Sequence, residues 1–198
     1  MASALVQQIG NVDGLIATVV LEADQTEPVS PGELADTVAS IQAAGIATLI
    51  SGDATLARVV KADGVHLPPS KSALPSYREA RDILGGRHIV GVDVGRTRHD
   101  GMVLGEEGAD YIAFGIPAHV EDRDTARKRR LELISWWSEI FEPPCVAFDV
   151  ETPDDARELA EAGADFIAVR LPVDVPANAL AAFLTPFAKT LSTTAAAT

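Results

Sequence analysis

The chain has 198 residues, 47% of them hydrophobic, with 29 acidic side chains against 16 basic ones and a formal net charge of −13. That size and balance fit one globular domain and exclude wholesale disorder. The negative charge argues against duplex nucleic acid and anionic membranes, both of which need a basic face.

No apolar run reaches the ~18–20 residues that span a bilayer. Met1–Gly10 has neither the basic start nor the apolar centre of a signal peptide. Cys145 is the single cysteine, so no internal disulfide can form. A reducing, cytoplasmic location is therefore expected.

Short β-branched runs alternate with amphipathic stretches. Strands are predicted near Leu15–Leu21, Ala47–Ile50, Val65–Leu67, His88–Val92, Tyr111–Phe114, Cys145–Phe148 and Phe166–Val169. Ser30-Pro31-Gly32-Glu33 predicts a helix start, with a capping box and proline in the first turn. Ser76 with Glu79 predicts a second start. Thr152-Pro153-Asp154-Asp155 predicts a third, with acids where the helix dipole favours them. Leu133, Ile134, Trp137, Ile140 and Phe141 share one helical face. The barrel is expected over residues 1–188, with a fraying tail over 189–198.

Three strands are preceded by nearly the same word: Lys61-Ala62-Asp63-Gly64, Gly108-Ala109-Asp110-Tyr111 and Gly163-Ala164-Asp165-Phe166. In the last two, glycine is expected to end a helix in left-handed geometry, and Asp to close a turn into a buried strand. Strict alternation with short connections indicates an α/β fold with a parallel sheet. Seven such units favour a (β/α) TIM-like barrel over an open sheet. No glycine-rich dinucleotide fingerprint follows any strand.

Lys61-Ala62-Asp63-Gly64-Val65-His66-Leu67, Gly108-Ala109-Asp110-Tyr111-Ile112-Ala113-Phe114-Gly115 and Ala162-Gly163-Ala164-Asp165-Phe166-Ile167-Ala168-Val169 resemble words of the thiamine phosphate synthase/TenI family. The likeness runs from about residue 14 to 188. It implies an eight-stranded barrel that couples a pyrimidine pyrophosphate to a thiazole phosphate with Mg²⁺. In TenI relatives it implies isomerisation of the thiazole phosphate instead. Against that pattern Met1–Gly10 resembles the end of the first helix and Leu15–Leu21 the second strand, so the first strand is expected to be missing. Unpaired strand edges must be covered or shared, which points to the N-terminal segment or to a homodimer.

The resemblance also places site residues, and most are substituted. The family's Q-x-R-E-K word falls on Val19-Val20-Leu21-Glu22-Ala23, which keeps only Glu22. N-D-D falls on Ser51-Gly52-Asp53, leaving Asp53 as the metal acid. The second metal aspartate is replaced by Lys71. The serine that follows Gly-Val on the fifth family strand becomes Asp93, and a phosphate-cradling Gly-Gly after the seventh becomes Asp149-Val150. A T-x-T-K loop becomes Val120-Glu121-Asp122-Arg123, with Arg123 as the stand-in cation for the leaving group. His119, three residues after the position of the TenI proton-transfer histidine, is the candidate general base.

Glu22, Asp24, Asp53, Asp93, Asp149 and Glu151 are thus expected at strand ends, where barrels do chemistry. They read either as a site for a hard cation or as helix caps and solvated loop acids, with Asp53 and Asp149 placed just before helices. Lys71, Arg96, Arg98, Arg123 and Arg170 read as phosphate ligands or as partners of those acids. His66 and Cys145 are expected to pack in the core, and His99 and His119 to lie on loops. Trp136 and Trp137 are expected to pack between helix and barrel. Three functions follow: Mg²⁺-dependent coupling, a non-catalytic member that binds a small phosphorylated molecule or a protein, and an isomerase using His119.

Overall fold

The computed structural model describes residues 16–22, 29–117, 119–171 and 179–195. Seven strands lie among them: β1 Thr18–Leu21, β2 Ala47–Ser51, β3 Gly64–Leu67, β4 Ile89–Asp93, β5 Tyr111–Phe114, β6 Cys145–Val150 and β7 Phe166–Val169. Between and after them run α1 Pro31–Ala43, α2 Ala54–Val60, α3 Ala73–Leu84, α4 Arg98–Glu107, α5 Arg123–Ile140, α6 Pro153–Glu161 and α7 Leu180–Ala195. The strands follow one another in sequence order within one sheet, and the pairings described are parallel. This is the TIM-like (β/α) architecture that the alternating pattern predicts. Met1–Gly10, the proposed remnant of a first helix, lies outside the described residues.

The chain divides into two compact units. The first holds β1 to β3, α1, α2, most of α3 and the start of β4. Its core gathers Val38, Ile41, Leu49, Ile50, Ala57, Val60 and Val65. The second holds the end of β4, β5 to β7 and α4 to α6, around Val92, Leu104, Ile112, Phe114, Leu133, Ile134 and Leu159. Strands buried on both faces need no polar alternation. All four residues of β3 are accordingly buried. Gly64 opens that strand because a Cβ there would sit 1.9 Å from the Ile89 carbonyl oxygen.

The helix starts are largely as predicted. Ser30 caps α1 through the full capping box, and Thr152 caps α6 by accepting from the Asp155 amide, with Pro153 following. α3 is the exception: it begins at Ala73, so Ser76 lies inside it. Pro75 is tolerated there because first-turn residues need no intrahelical N–H donor. α7 continues through Lys189 to Ala195, so most of the expected tail is helical.

The repeated word works as a lock between neighbouring strands. Lys61, Gly108 and Gly163 all adopt left-handed backbone. Asp63 Oδ2 then accepts from the Thr48 amide on β2 at 2.7 Å and from Gln42 Nε2 at 3.0 Å. Asp165 Oδ2 accepts from the Cys145 amide on β6 at 2.8 Å. The strand after Asp165 is not buried as predicted, since Phe166 is 48% exposed. β7 ends the sheet and pairs on one side only among the described residues, which leaves its side chains partly open.

On α5, Leu133, Ile134 and Trp137 are buried, whereas Ile140 is exposed. Phe141, just past the helix, takes the place next to Trp137 and stacks on its ring. Trp137 also donates to the Pro143 carbonyl and meets Phe114 edge-on, so it is core, as expected. Trp136 carries the Arg98 guanidinium over its ring. Cys145 is buried, and burial pushes its thiol up to about 11, so it packs rather than reacts.

Candidate functional site

The first unit holds three of the predicted site residues. Glu22 follows β1 and is exposed, Ser51 ends β2 half-buried, and Asp53 is exposed beyond it. Asp53 caps α2, its Oδ1 accepting from the Leu56 amide at 2.8 Å. His66 is buried in β3. Burial pushes its pKa down to about 4, opposed in part by the Glu22 charge, so the imidazole is neutral at pH 7.

The strand ends of the second unit are more crowded. Asp93 ends β4 and is 3% exposed. Its Oδ1 accepts from the amides of Gly95 at 2.7 Å and Gly115 at 3.2 Å. Burial raises its carboxyl to about 7 despite those two bonds, and the Asp149 charge raises it further.

Asp149 reaches the same place from β6. The pairing of β6 with β7 shifts register between Ala147 and Val150, and Asp149 has a φ of 56°. Such irregularities re-aim side chains and are costly for a residue other than glycine. Asp149 is therefore not the helix cap that its position before α6 predicts; Thr152 has that role. Asp149 Oδ2 accepts from the Ile116 amide at 2.8 Å. A Cβ at Gly115 would sit 2.5 Å from Asp93 Oδ2 and 2.8 Å from Asp149 Oδ2. The two carboxylates thus approach within about 6 Å of each other, close enough to couple electrostatically, and only glycine fits between them.

Arg130, on α5, holds this arrangement from behind. It is 1% exposed. It donates to the carbonyls of Phe148 and Asp149 at 2.5 and 2.9 Å, and forks onto both oxygens of Asp155 at 2.7 Å. It fixes the irregular end of β6 through the backbone. Sequence reading misses it because an arginine in a basic helix reads as surface. The available signal is its spacing with Ala126, Leu133, Ile134 and Trp137, which places it on the buried face.

Arg123 opens α5 and is engaged. Its Nη1 donates to the Ile116 carbonyl at 3.4 Å and its Nη2 meets Glu151 Oε1 at 2.7 Å. Arg127, one turn on, meets Glu151 Oε2 and also Asp124 at 3.2 Å. The bond from Arg123, with that from Arg127, holds Glu151 below the usual carboxylate range. Segment Gly115–Ile116 therefore links Asp93, Asp149 and Arg123. Lys71 and Arg96 lie exposed on turns, Arg170 is exposed after β7, and His119 occupies an exposed turn. His99 lies in the first turn of α4 rather than on a loop.

The Mg²⁺ implied by the sequence resemblance does not fit this donor set. Asp53 spends one oxygen on its helix, and Lys71 offers an ammonium where a second carboxylate is needed.

Parallel strands alternating with helices, with polar side chains gathered at the strand C-termini, define a TIM-like (β/α) protein. Residues 7–173 match the sequence profile of the thiamine monophosphate synthase (TMP-TENI) family, and the chain belongs to that family. The thiamine-phosphate synthase of Erythrobacter litoralis (strain HTCC2594) is 44% identical over 139 residues, which are 69% of this chain and 64% of that protein. That of Rhodospirillum centenum (strain ATCC 51521 / SW) is 40% identical over 129 residues, 65% and 61% of the two chains. The match thus spans less than two thirds of these curated relatives.

Two solved structures share the fold. Thiamine phosphate pyrophosphorylase from Pyrococcus furiosus superposes with a TM-score of 0.70 at 20% identity, covering 98% of this chain and 90% of that one. Orotidine 5'-phosphate decarboxylase from Pyrococcus horikoshii OT3 gives 0.63 at 14% identity, covering 96% and 94%. One architecture accommodating a decarboxylase as well shows why activity must be argued from the site. Among the described residues, no helix is long and apolar enough to cross a membrane.

Proposed function

We propose that this chain is a thiamine phosphate synthase-like protein that binds a phosphorylated pyrimidine or thiazole precursor without itself running the Mg²⁺-dependent coupling. Its family membership supports the ligand class. The observation that carries the loss of coupling is the Asp93–Asp149 pair on Gly115. Carboxylates there repel a phosphate that an amide-lined cradle would attract. Lys71, Arg96 and Arg170 are the exposed cations assigned to the ligand's phosphate, with Arg123 behind its own ion pair. Glu22 and Ser51, in the first unit, are kept as substrate contacts on the sequence resemblance alone. β1 and β7 each pair on one side only among the described residues, and a homodimer covering such edges belongs to this reading.

A thermal-shift titration with each phosphorylated precursor, with and without Mg²⁺, tests the binding. A ligand that binds only the folded chain adds ~2.7 kcal/mol at a hundredfold excess over its Kd. The expected shift is the same with and without metal. A shift that needs Mg²⁺, or none with any precursor, contradicts the proposal. The 44% identity to a curated synthase favours a second reading, an active synthase, which requires product from both precursors with Mg²⁺.

A further inference from the structure

Two guanidinium groups meet one carboxylate at the start of α5. Arg123 and Arg127 stand four residues apart and so share a helix face. Arg123 Nη2 donates to Oε1 of Glu151 and Arg127 Nη2 to Oε2, so the carboxylate bridges two guanidinium groups. That is the bonding mode of a phosphate oxyanion held between arginines. The helix N-terminus adds its own partial positive charge. The side chains are 32%, 38% and 44% exposed for Arg123, Arg127 and Glu151, so solutes can reach all three. Exposed ion pairs are weakly held because water and salt screen them.

We propose that Arg123 and Arg127 form a binding site for a phosphate-class oxyanion that Glu151 occupies as an internal substitute. Glu151 then acts as a self-blocking group. A ligand carrying two or more negative charges displaces it by offering the same two arginines a denser anion. Asp124, bonded to Arg127, and Asp155, paired with Arg130, oppose the incoming charge. Arg123 is already among the cations of the proposed function; Arg127 and the blocking role of Glu151 are new, and to that extent the inference rests on that function.

The test is a calorimetric titration of the full chain with inorganic pyrophosphate and, separately, inorganic phosphate, at low salt. Glu151→Gln keeps the shape of the side chain and removes its charge. It is expected to tighten pyrophosphate binding ~10-fold or more, and phosphate less. Adding Arg127→Gln should abolish the gain. Glu151→Asp, too short to bridge both arginines, should tighten binding in the same direction and serves if Glu151→Gln does not fold. An unchanged pyrophosphate affinity in the folded variant, or a gain that survives Arg127→Gln, overturns the proposal. The readout uses no thiamine precursor. A gain with pyrophosphate but no precursor binding removes the proposed function and leaves this site standing; precursor binding without the gain does the reverse.

Discussion

Four aspartates separate the two ends of the strands. At the N-terminal ends, Asp63 and Asp165 each accept from an amide at the start of the preceding strand, Thr48 in the second position of β2 and Cys145 in the first of β6. At the C-terminal ends, Asp93 and Asp149 accept from the amides of Gly95, Gly115 and Ile116, but do so beside each other. The same functional group is thus used for opposite ends. The first pair satisfies backbone donors that would otherwise be stranded. The second brings like charges together, one of them buried and one on left-handed backbone. Like charges held together on strained backbone are a common mark of a site.

The largest expected effect tests whether the C-terminal arrangement is held from behind. Arg130→Ala leaves Asp155 and two carbonyls without their partner, and breaking a buried pair this way costs about 3–5 kcal/mol. Denaturant unfolding measures it; a loss below about 1 kcal/mol shows that Arg130 does not support β6.

Next comes the pH dependence of Asp93. Its carboxyl is raised to about 7 in the folded chain, against about 4 when unfolded. The folded state therefore holds the proton more tightly. This contribution is fully present below pH ~4 and is lost as pH rises through ~7. His66, lowered to about 4, has the opposite sign: its contribution is present above ~6.5 and lost as pH falls. Comparing wild type with Asp93→Asn cancels the histidine. The variant is expected to gain on wild type from pH 4 to 8, by at most about 4 kcal/mol. Parallel profiles would show that Asp93 is ionised at little cost.

The smallest effect belongs to the other end. Asp63→Ala strands the buried Thr48 amide and costs about 1–3 kcal/mol, read by denaturant unfolding. A variant as stable as wild type would erase the distinction between the two ends.

The turns at the N-terminal ends were legible in the sequence because they are local, although the bonds of Asp63 to Thr48 and Asp165 to Cys145 reach across 15 and 20 residues. The repeated Asp words, the caps at Ser30 and Thr152 and the seven apolar runs all depend on residues a few positions apart. The site was legible only in part. Asp93, Asp149 and Arg123 could be placed near strand ends, but Gly115 joins the first two across 22 and 34 residues, and only strand register brings them together. Arg123 is captured by Glu151, 28 residues away, which no spacing rule reveals. Ile140 and Phe166 fit an apolar pattern yet are exposed, since a helix end and a sheet edge leave them uncovered.

We propose that this chain retains the family's fold without the family's coupling reaction. The most direct measurement is product formation from pyrimidine pyrophosphate and thiazole phosphate with excess Mg²⁺. No thiamine phosphate above the uncatalysed level is expected, with wild type and Asp93→Asn alike. Turnover at an ordinary enzymatic rate of about 1 per second or faster, dependent on Mg²⁺ and lost in Asp53→Ala, would contradict it.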